Sequence, residues 1–441
     1  MIRISQLSQT FMKINNVKAK NIRIKQYNNL ILIKMLCSSN YLDKKKSDLY
    51  RQLYAKILAC GPITLAEYMK AVLTHPTVGY YMTKDVFGHR GDFITSPEIS
   101  QLFGEMLAIW IINEWRKISK DSIQLVELGP GRGTLTNDIL RVFKKLNLLD
   151  KISVHLIEIS PILSTIQAEK LCIKSRNCES DISEDKTGSI MHYKEGVTKE
   201  GLKIYWYYSI KDVPKKFSVF IAHEFFDALP IHKFQKTDKG WSEVLIDIIQ
   251  GSKEEKFQYV LSQIPTPACK TYLSPSEERD HVEISPECLV TIDYMSQFLW
   301  ECGGFALVID YGHEREKTDT FRAFRQHKLH DPLLDPGTAD LTADVDFLSM
   351  KEIAEKDNRS IVFGPITQRE FLKCLGIDLR LKMILQNASV IQKQQIKSGY
   401  HMIIDEDKMG NCFKVLVFFP SILKNYLTKW PVAGFTNEVK S

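Results

Sequence analysis

The first 40 residues contain no aspartate and no glutamate. They hold seven of the 59 basic residues of the 441-residue chain: Arg3, Lys13, Lys18, Lys20, Arg23, Lys25 and Lys34. Setting those seven aside leaves 52 basic against 53 acidic residues, so the body of the chain is near neutral and gives no electrostatic case for nucleic acid. A basic, acid-free start with Ser5, Ser8, Thr10, Ser38 and Ser39 reads as a mitochondrial presequence over residues 1–40, against the plainer reading of a basic tail. Nor is there an apolar run of the ~18 residues that span a bilayer. The most apolar part of the start, Leu30 to Cys37, is broken by Lys34, so no membrane insertion is expected. The nine cysteines include no Cys-x-x-Cys pair and no Cys/His spacing typical of zinc. They read as free thiols of a reducing compartment, and no metal is expected. No internal repeat shows, which excludes a solenoid or propeller.

What is present is ordinary globular material, 44% hydrophobic and 25% charged, long enough for one large domain or two ordinary ones. It centres on Gln124 to Asn137, QLVELGPGRGTLTN. Leu125, Val126 and Leu128 precede a glycine-dense turn; Leu135, Ile139, Leu140, Val142 and Phe143 follow at helical spacing. That reads strand, tight loop, helix N-terminus, a junction that aims backbone N–H groups at a ligand. A dinucleotide loop wants G-x-G-x-x-G. Here Thr134 holds the third position, and Gly129, Gly131 and Gly133 run G-x-G-x-G around Pro130. Glu127 stands two residues before the first glycine, where a carboxylate suits a cationic group such as the amino end of S-adenosylmethionine. A second apolar run, SVHLIE, ends in Glu158, 27 residues beyond Gly131. That is near the ~20-residue offset at which an acid grips a ribose hydroxyl pair. Taken alone the glycines could be a structural turn; the two linked signals favour a nucleoside cofactor.

Helices are expected over 41–60, 64–73, 96–115, 160–171, 286–301, 344–356 and 367–397. Ser218 to Phe226 and Gly304 to Tyr311 read as buried strands, Phe413 to Phe419 as a final strand, and Ile204 to Tyr207 as an edge strand. Asp238-Lys239-Gly240 marks a hairpin. Residues 174–190, 262–286 and 315–340 read as loops. Alternating strands and helices argue an α/β doubly wound sheet. The spacing of Asp335, Asp340, Asp344 and Asp346 does not match a calcium loop.

Seven segments, GPITLAEYM, HPTVGYY, GDFITSPEISQLFGE, VELGPGRGT, HEFFDALP, DYGH and DPGTADLTADVDF, lie in this order over residues 61–347. The chain resembles the mitochondrial MidA-like methyltransferases in all of them. The resemblance implies a class I S-adenosylmethionine-dependent fold, Rossmann-like, with an N-terminal helical segment and inserted and C-terminal extra elements. It implies a helical segment over 41–118, a methyltransferase domain over 119–420 with an insertion at about 230–290, and a tail over 421–441. The implied reaction is methylation of an arginine of a core subunit of respiratory complex I, in the mitochondrial matrix, to symmetric dimethylarginine. Glu127, Gly129, Pro130, Gly131, Gly133 and Glu158 match the cofactor loop and acids. His223, Glu224 and Asp227 fall at the end of a later strand, where this class holds the acceptor. Glu224 is expected first, and Asp227 second, to orient the guanidinium, since carboxylates pair with it bidentately. The plain alternative is that both cap the following segment; His223 is a proton relay or a structural histidine. Asp92, Thr95, Ser96 and Glu98 read as a lid or as a turn and cap. Asp310 and Tyr311 end a strand that could face substrate. From another function class, the chain could be a non-catalytic complex I assembly chaperone that keeps this fold. The sequence leaves the oligomeric state open.

Overall fold

A computed structural model describes residues 46–88, 95–178, 192–249, 256–274 and 276–435. The presequence reading, Asp92 and the last six residues of the tail lie outside them. A central sheet of ten strands organises the chain. In chain order they are Ile123–Leu128 (β1), Ile152–Ile157 (β2), Lys174–Asn177 (β3), Lys194–Val197 (β4), Lys203–Tyr207 (β5), Ser218–His223 (β6), Gly304–His313 (β7), Val345–Asp346 (β8), Ser360–Thr367 (β9) and Phe413–Pro420 (β10). The spatial order is β9-β10-β7-β6-β1-β2-β5-β4-β3, with β8 beside the end of β7. The five strands from β7 to β5 run parallel, and antiparallel pairs flank them on both sides.

Both faces of the sheet are covered, which is why its central strands are continuously apolar rather than alternating. Ile123 and Leu125 pack under helices Gln101–Ile118 (α1), Thr134–Lys145 (α2) and Pro161–Leu171 (α3). Val126 and Leu128 pack on the other face under Pro286–Cys302 (α4) and Phe347–Glu355 (α5). The chain leaves β1 for β2 on one side and later returns to β6 on the other. This is a topological switch point, and it opens a crevice beyond the carboxyl ends of β1 and β6. A third core joins helices Asp48–Cys60 and Leu65–Thr74 to a five-stranded antiparallel sheet built from residues 63–64 and 232–284. The hairpin at Asp238 is there, with Thr237 opposite Gly240.

Several expectations change. The helix expected over 96–115 is two helices: Ser96–Ile99 stops, and Ser100, in extended backbone, caps α1 by accepting from Leu102 N. The strand at 204–207 is interior, because residues 174–177 and 194–197 add a hairpin outside it. The 262–286 segment contains a short helix, Pro267–Tyr272, and a strand, His281–Ile284. Much of the expected polar loop over 315–340 instead enters a small three-stranded sheet over 322–342. The span 367–397 is divided among three helices, Gln368–Cys374, Ile377–Gln386 and Val390–Ile404. Strand β9 has no counterpart among the expected strands.

Candidate active site

The turn after β1 holds Gly129 at φ 61° and Gly131 at φ 53°, the left-handed region that glycine enters without steric cost. A Cβ on Gly129 would lie 2.7 Å from Phe225 Cδ2, so the backbone must pass bare beneath that ring. Gly133 completes the turn by donating its N–H to Pro130 O at 2.7 Å. Arg132 pairs with Asp85 at 3.1 Å and Glu98 at 3.6 Å. Glu127 is buried in β1 and accepts from the Thr136 hydroxyl. Burial pushes its carboxyl up to about 7 despite that hydrogen bond.

Glu158 closes the opposite wall at the end of β2. It accepts from Ser160 N at 2.7 Å and from Gln167 Nε2 at 2.9 Å, and burial pushes it up to about 7. Gln167 also donates to Gly131 O at 2.7 Å and accepts from Trp206 Nε1 at 2.8 Å. One amide thus ties the acid of β2 to the glycine turn of β1.

The third wall begins where β6 ends. Glu224 has φ 49°, unusual for a residue with a Cβ, and such strain concentrates at functional sites. Its N–H donates to Ile309 O at 3.0 Å, and its carboxylate accepts from Ser96 N at 3.3 Å. Burial first, then the charge of Asp227, pushes Glu224 up to about 8. His223 Nε2 lies 3.4 Å from Glu224 without the alignment of a hydrogen bond. Burial lowers that imidazole to about 3, so it is neutral and a weak proton acceptor. Asp227 accepts from the Tyr311 hydroxyl and from Thr342 Oγ1 at 2.9 Å. Asp340 accepts from Tyr81 Oη at 2.7 Å.

Asp310 does not face the crevice. It is fully buried, and its Oδ2 accepts from the backbone N–H groups of Phe225, Phe226 and Asp227 at 3.0–3.3 Å. Asp310 therefore caps this turn. That leaves Glu224, Asp227 and Tyr311, together with Tyr81 and Asp340, lining the same crevice as Gly129, Gly131 and Glu158. The cavity they enclose is about 170 Å³ and is partly open to solvent. Glu127, Pro130 and His223 line an adjoining pocket, with Glu224 and the two glycines shared between them.

Residues 106–366 match the family described as "Putative S-adenosyl-L-methionine-dependent methyltransferase". The chain belongs to this methyltransferase family. Among its relatives, a Drosophila melanogaster protein named protein arginine methyltransferase NDUFAF7 homolog, mitochondrial, is 47% identical over 403 residues, covering 90% of this chain and 91% of the relative. The Xenopus tropicalis protein named protein arginine methyltransferase NDUFAF7, mitochondrial, is 51% identical, covering 88% and 89%; the Homo sapiens protein of that name is 50% identical, covering 84% and 83%. The fold is shared with a Burkholderia thailandensis protein solved bound to S-adenosyl-homocysteine, at a TM-score of 0.66 and 24% identity, over 85% of this chain and 92% of that one.

The crevice suits the cofactor of the methyltransferase family. Two glycines leave room where a Cβ would intrude, buried acids stand at Glu127 and Glu158, and Phe87 and Phe225 supply apolar walls. Tyr81, Gln167, Phe225 and Asp340 join the site without having been marked by the sequence. Phe225 lies inside HEFFDALP and Asp340 inside DPGTADLTADVDF, so motif membership was the available signal. Gln167 carries none, because its role depends on how α3 packs.

Proposed function

We propose that this chain is a protein arginine methyltransferase of the mitochondrial matrix that dimethylates an arginine of a core complex I subunit symmetrically during assembly. One observation carries the reading: Glu224, Asp227 and Asp340 face the crevice that the glycine turn forms. Burial holds the carboxyls of Glu224 and Asp227 above their ordinary range, and a guanidinium is a planar cation that pairs with carboxylates two bonds at a time. The names of the relatives agree on the arginine and on the mitochondrion.

S-adenosylmethionine, when bound, supplies an electrophilic methyl group. Gly129, Gly131 and Gly133 would hold it, with Glu127 and Glu158 at its polar ends. Glu224 is assigned to pair with the guanidinium of the acceptor arginine and to localise its charge away from the attacking nitrogen. Asp227, oriented by Tyr311 and Thr342, takes the second position. The proton lost from the guanidinium as the nitrogen is methylated goes to Glu224, whose carboxyl is already raised to about 8. His223, neutral and packed beside the Phe103 ring, supports Glu224 rather than acting as the base. Positioning of this kind can supply several kcal/mol of a barrier, on the order of 7 or more in favourable cases.

A non-catalytic assembly chaperone would need the fold but not the carboxylate. In cells lacking this protein, the Glu224→Gln chain should fail to restore complex I assembly while accumulating normally. Full restoration would mean that the fold alone suffices.

A further inference from the structure

At the sheet edge, β3 and β4 form a hairpin with Arg176 opposite Glu195 and Asn177 opposite Lys194. One more rung closes it, from Cys178 N to Tyr193 O at 2.8 Å. At that rung Cys178, His192 and Glu195 bring one ligand atom each within 4.8 Å of one another. His192 Nε2 lies 3.4 Å from Glu195 Oε2, while Nδ1 is buried with no hydrogen-bond partner among the described residues. The other oxygen, Glu195 Oε1, is held by Arg176 Nε at 2.6 Å. The imidazole is fixed edge-on to Tyr205, with ring centroids 4.9 Å apart.

We propose that Cys178, His192 and Glu195 form a zinc site, with three protein ligands and one position left to water. The donor set decides the metal. Thiolate, imidazole and carboxylate together suit Zn²⁺, whereas magnesium and calcium take oxygen ligands. Bond lengths of ~2.0–2.3 Å put the ligand atoms of a tetrahedral site roughly 3.3–3.8 Å apart, so the cluster needs to contract by about 1 Å through side-chain rotation. Arg176 then acts as the partner that orients the ligating carboxylate. Binding replaces the thiol proton: the S–H bond breaks, a sulfur–zinc bond forms, and the proton passes to buffer. Zinc-finger spacing along the chain does not reveal such a site, because the ligands meet across a hairpin, as Cys-x13-His-x2-Glu.

Such a site would bear on the crevice through Tyr193, which lies between the ligands. Its hydroxyl donates to Glu158 O at 2.9 Å, and its ring stacks on Tyr208 at 4.0 Å. A metal at the rung would hold the strand that supports Glu158.

The test is metal titration of the chelator-treated full chain, with Zn²⁺ followed by equilibrium dialysis and with Co²⁺ followed by absorbance. One zinc per chain is expected, with a thiolate-to-cobalt charge-transfer band. Cys178→Ser should abolish the band, and His192→Gln and Glu195→Gln should each weaken zinc binding at least about tenfold. Cys178 and Glu195 are only part-buried, so their variants should fold. Failure of the wild-type chain to bind zinc, or a band unchanged in Cys178→Ser, overturns the assignment.

Discussion

Glu224→Gln leaves S-adenosylmethionine affinity within about threefold and lowers the methyl-transfer rate by about 10²-fold or more, the scale lost when a positioned, desolvated charge is removed from a transition state. The change is isosteric, and glutamine can still accept from Ser96 N, so the turn at φ 49° keeps its shape. The carboxylate is needed in its ionised form to pair with guanidinium. In the free protein it sits at about 8 against an ordinary 4.5. The kcat/KM of the wild-type chain should therefore rise with pH and level off above about 8, as expected for a group titrating in the free enzyme. The residual activity of the variant should lack that rise. Stability moves the other way. A carboxyl raised by folding binds its proton more tightly in the native state, so its ionisation costs stability as pH climbs from 4.5 to about 8. Glutamine has no such cost. Thermal unfolding should show the variant a few degrees more stable than wild type at pH 9 and little different at pH 5. A variant with full transfer activity removes Glu224 from the mechanism, whatever its stability does.

Gly131→Val abolishes S-adenosylmethionine binding, by about 10²-fold or more. Two causes act together. A β-branched side chain at φ 53° is strained, on the order of 1–3 kcal/mol. Its methyl groups would also occupy the crevice, since the Cβ alone comes to 3.5 Å from Phe87 Cζ. Gly61→Ala separates the two. Gly61, at the end of Asp48–Cys60 and not in the crevice lining, has φ 87° with nothing among the described residues within 4 Å of the place an added methyl would take. It should lose stability through strain alone and keep full cofactor affinity. Calorimetric titration of both variants with S-adenosylmethionine decides the matter; unchanged affinity in Gly131→Val would remove the turn from the cofactor site.

The strand, glycine turn and helix that open the crevice were legible in the sequence because they are local. A strand, a glycine turn and a helix follow one another within 15 residues or so, and the chemistry of each position can be read at its own spacing. The carboxylate wall of the crevice is assembled from segments far apart. Tyr81 and Asp340 are 259 residues apart along the chain, and Asp227 and Thr342 are 115 apart. No periodicity records such a meeting. Asp310 shows the same limit from the other side. At the end of a strand it had the look of a substrate-facing acid, yet three N–H groups of the neighbouring turn claim it. Strand β9 escaped because Gly364 and Pro365 interrupt it, and both residues ordinarily argue against a strand. The small sheet at 322–342 hides for a related reason: short, polar, half-exposed strands carry little alternation to read.

The most direct measurement is mass spectrometry of complex I core subunits incubated with the full chain and methyl-labelled S-adenosylmethionine. The account predicts label on arginine, as symmetric dimethylarginine, and none when Glu224→Gln replaces the wild type. Label on lysine, or no label on any subunit from a chain that binds the cofactor, would contradict it.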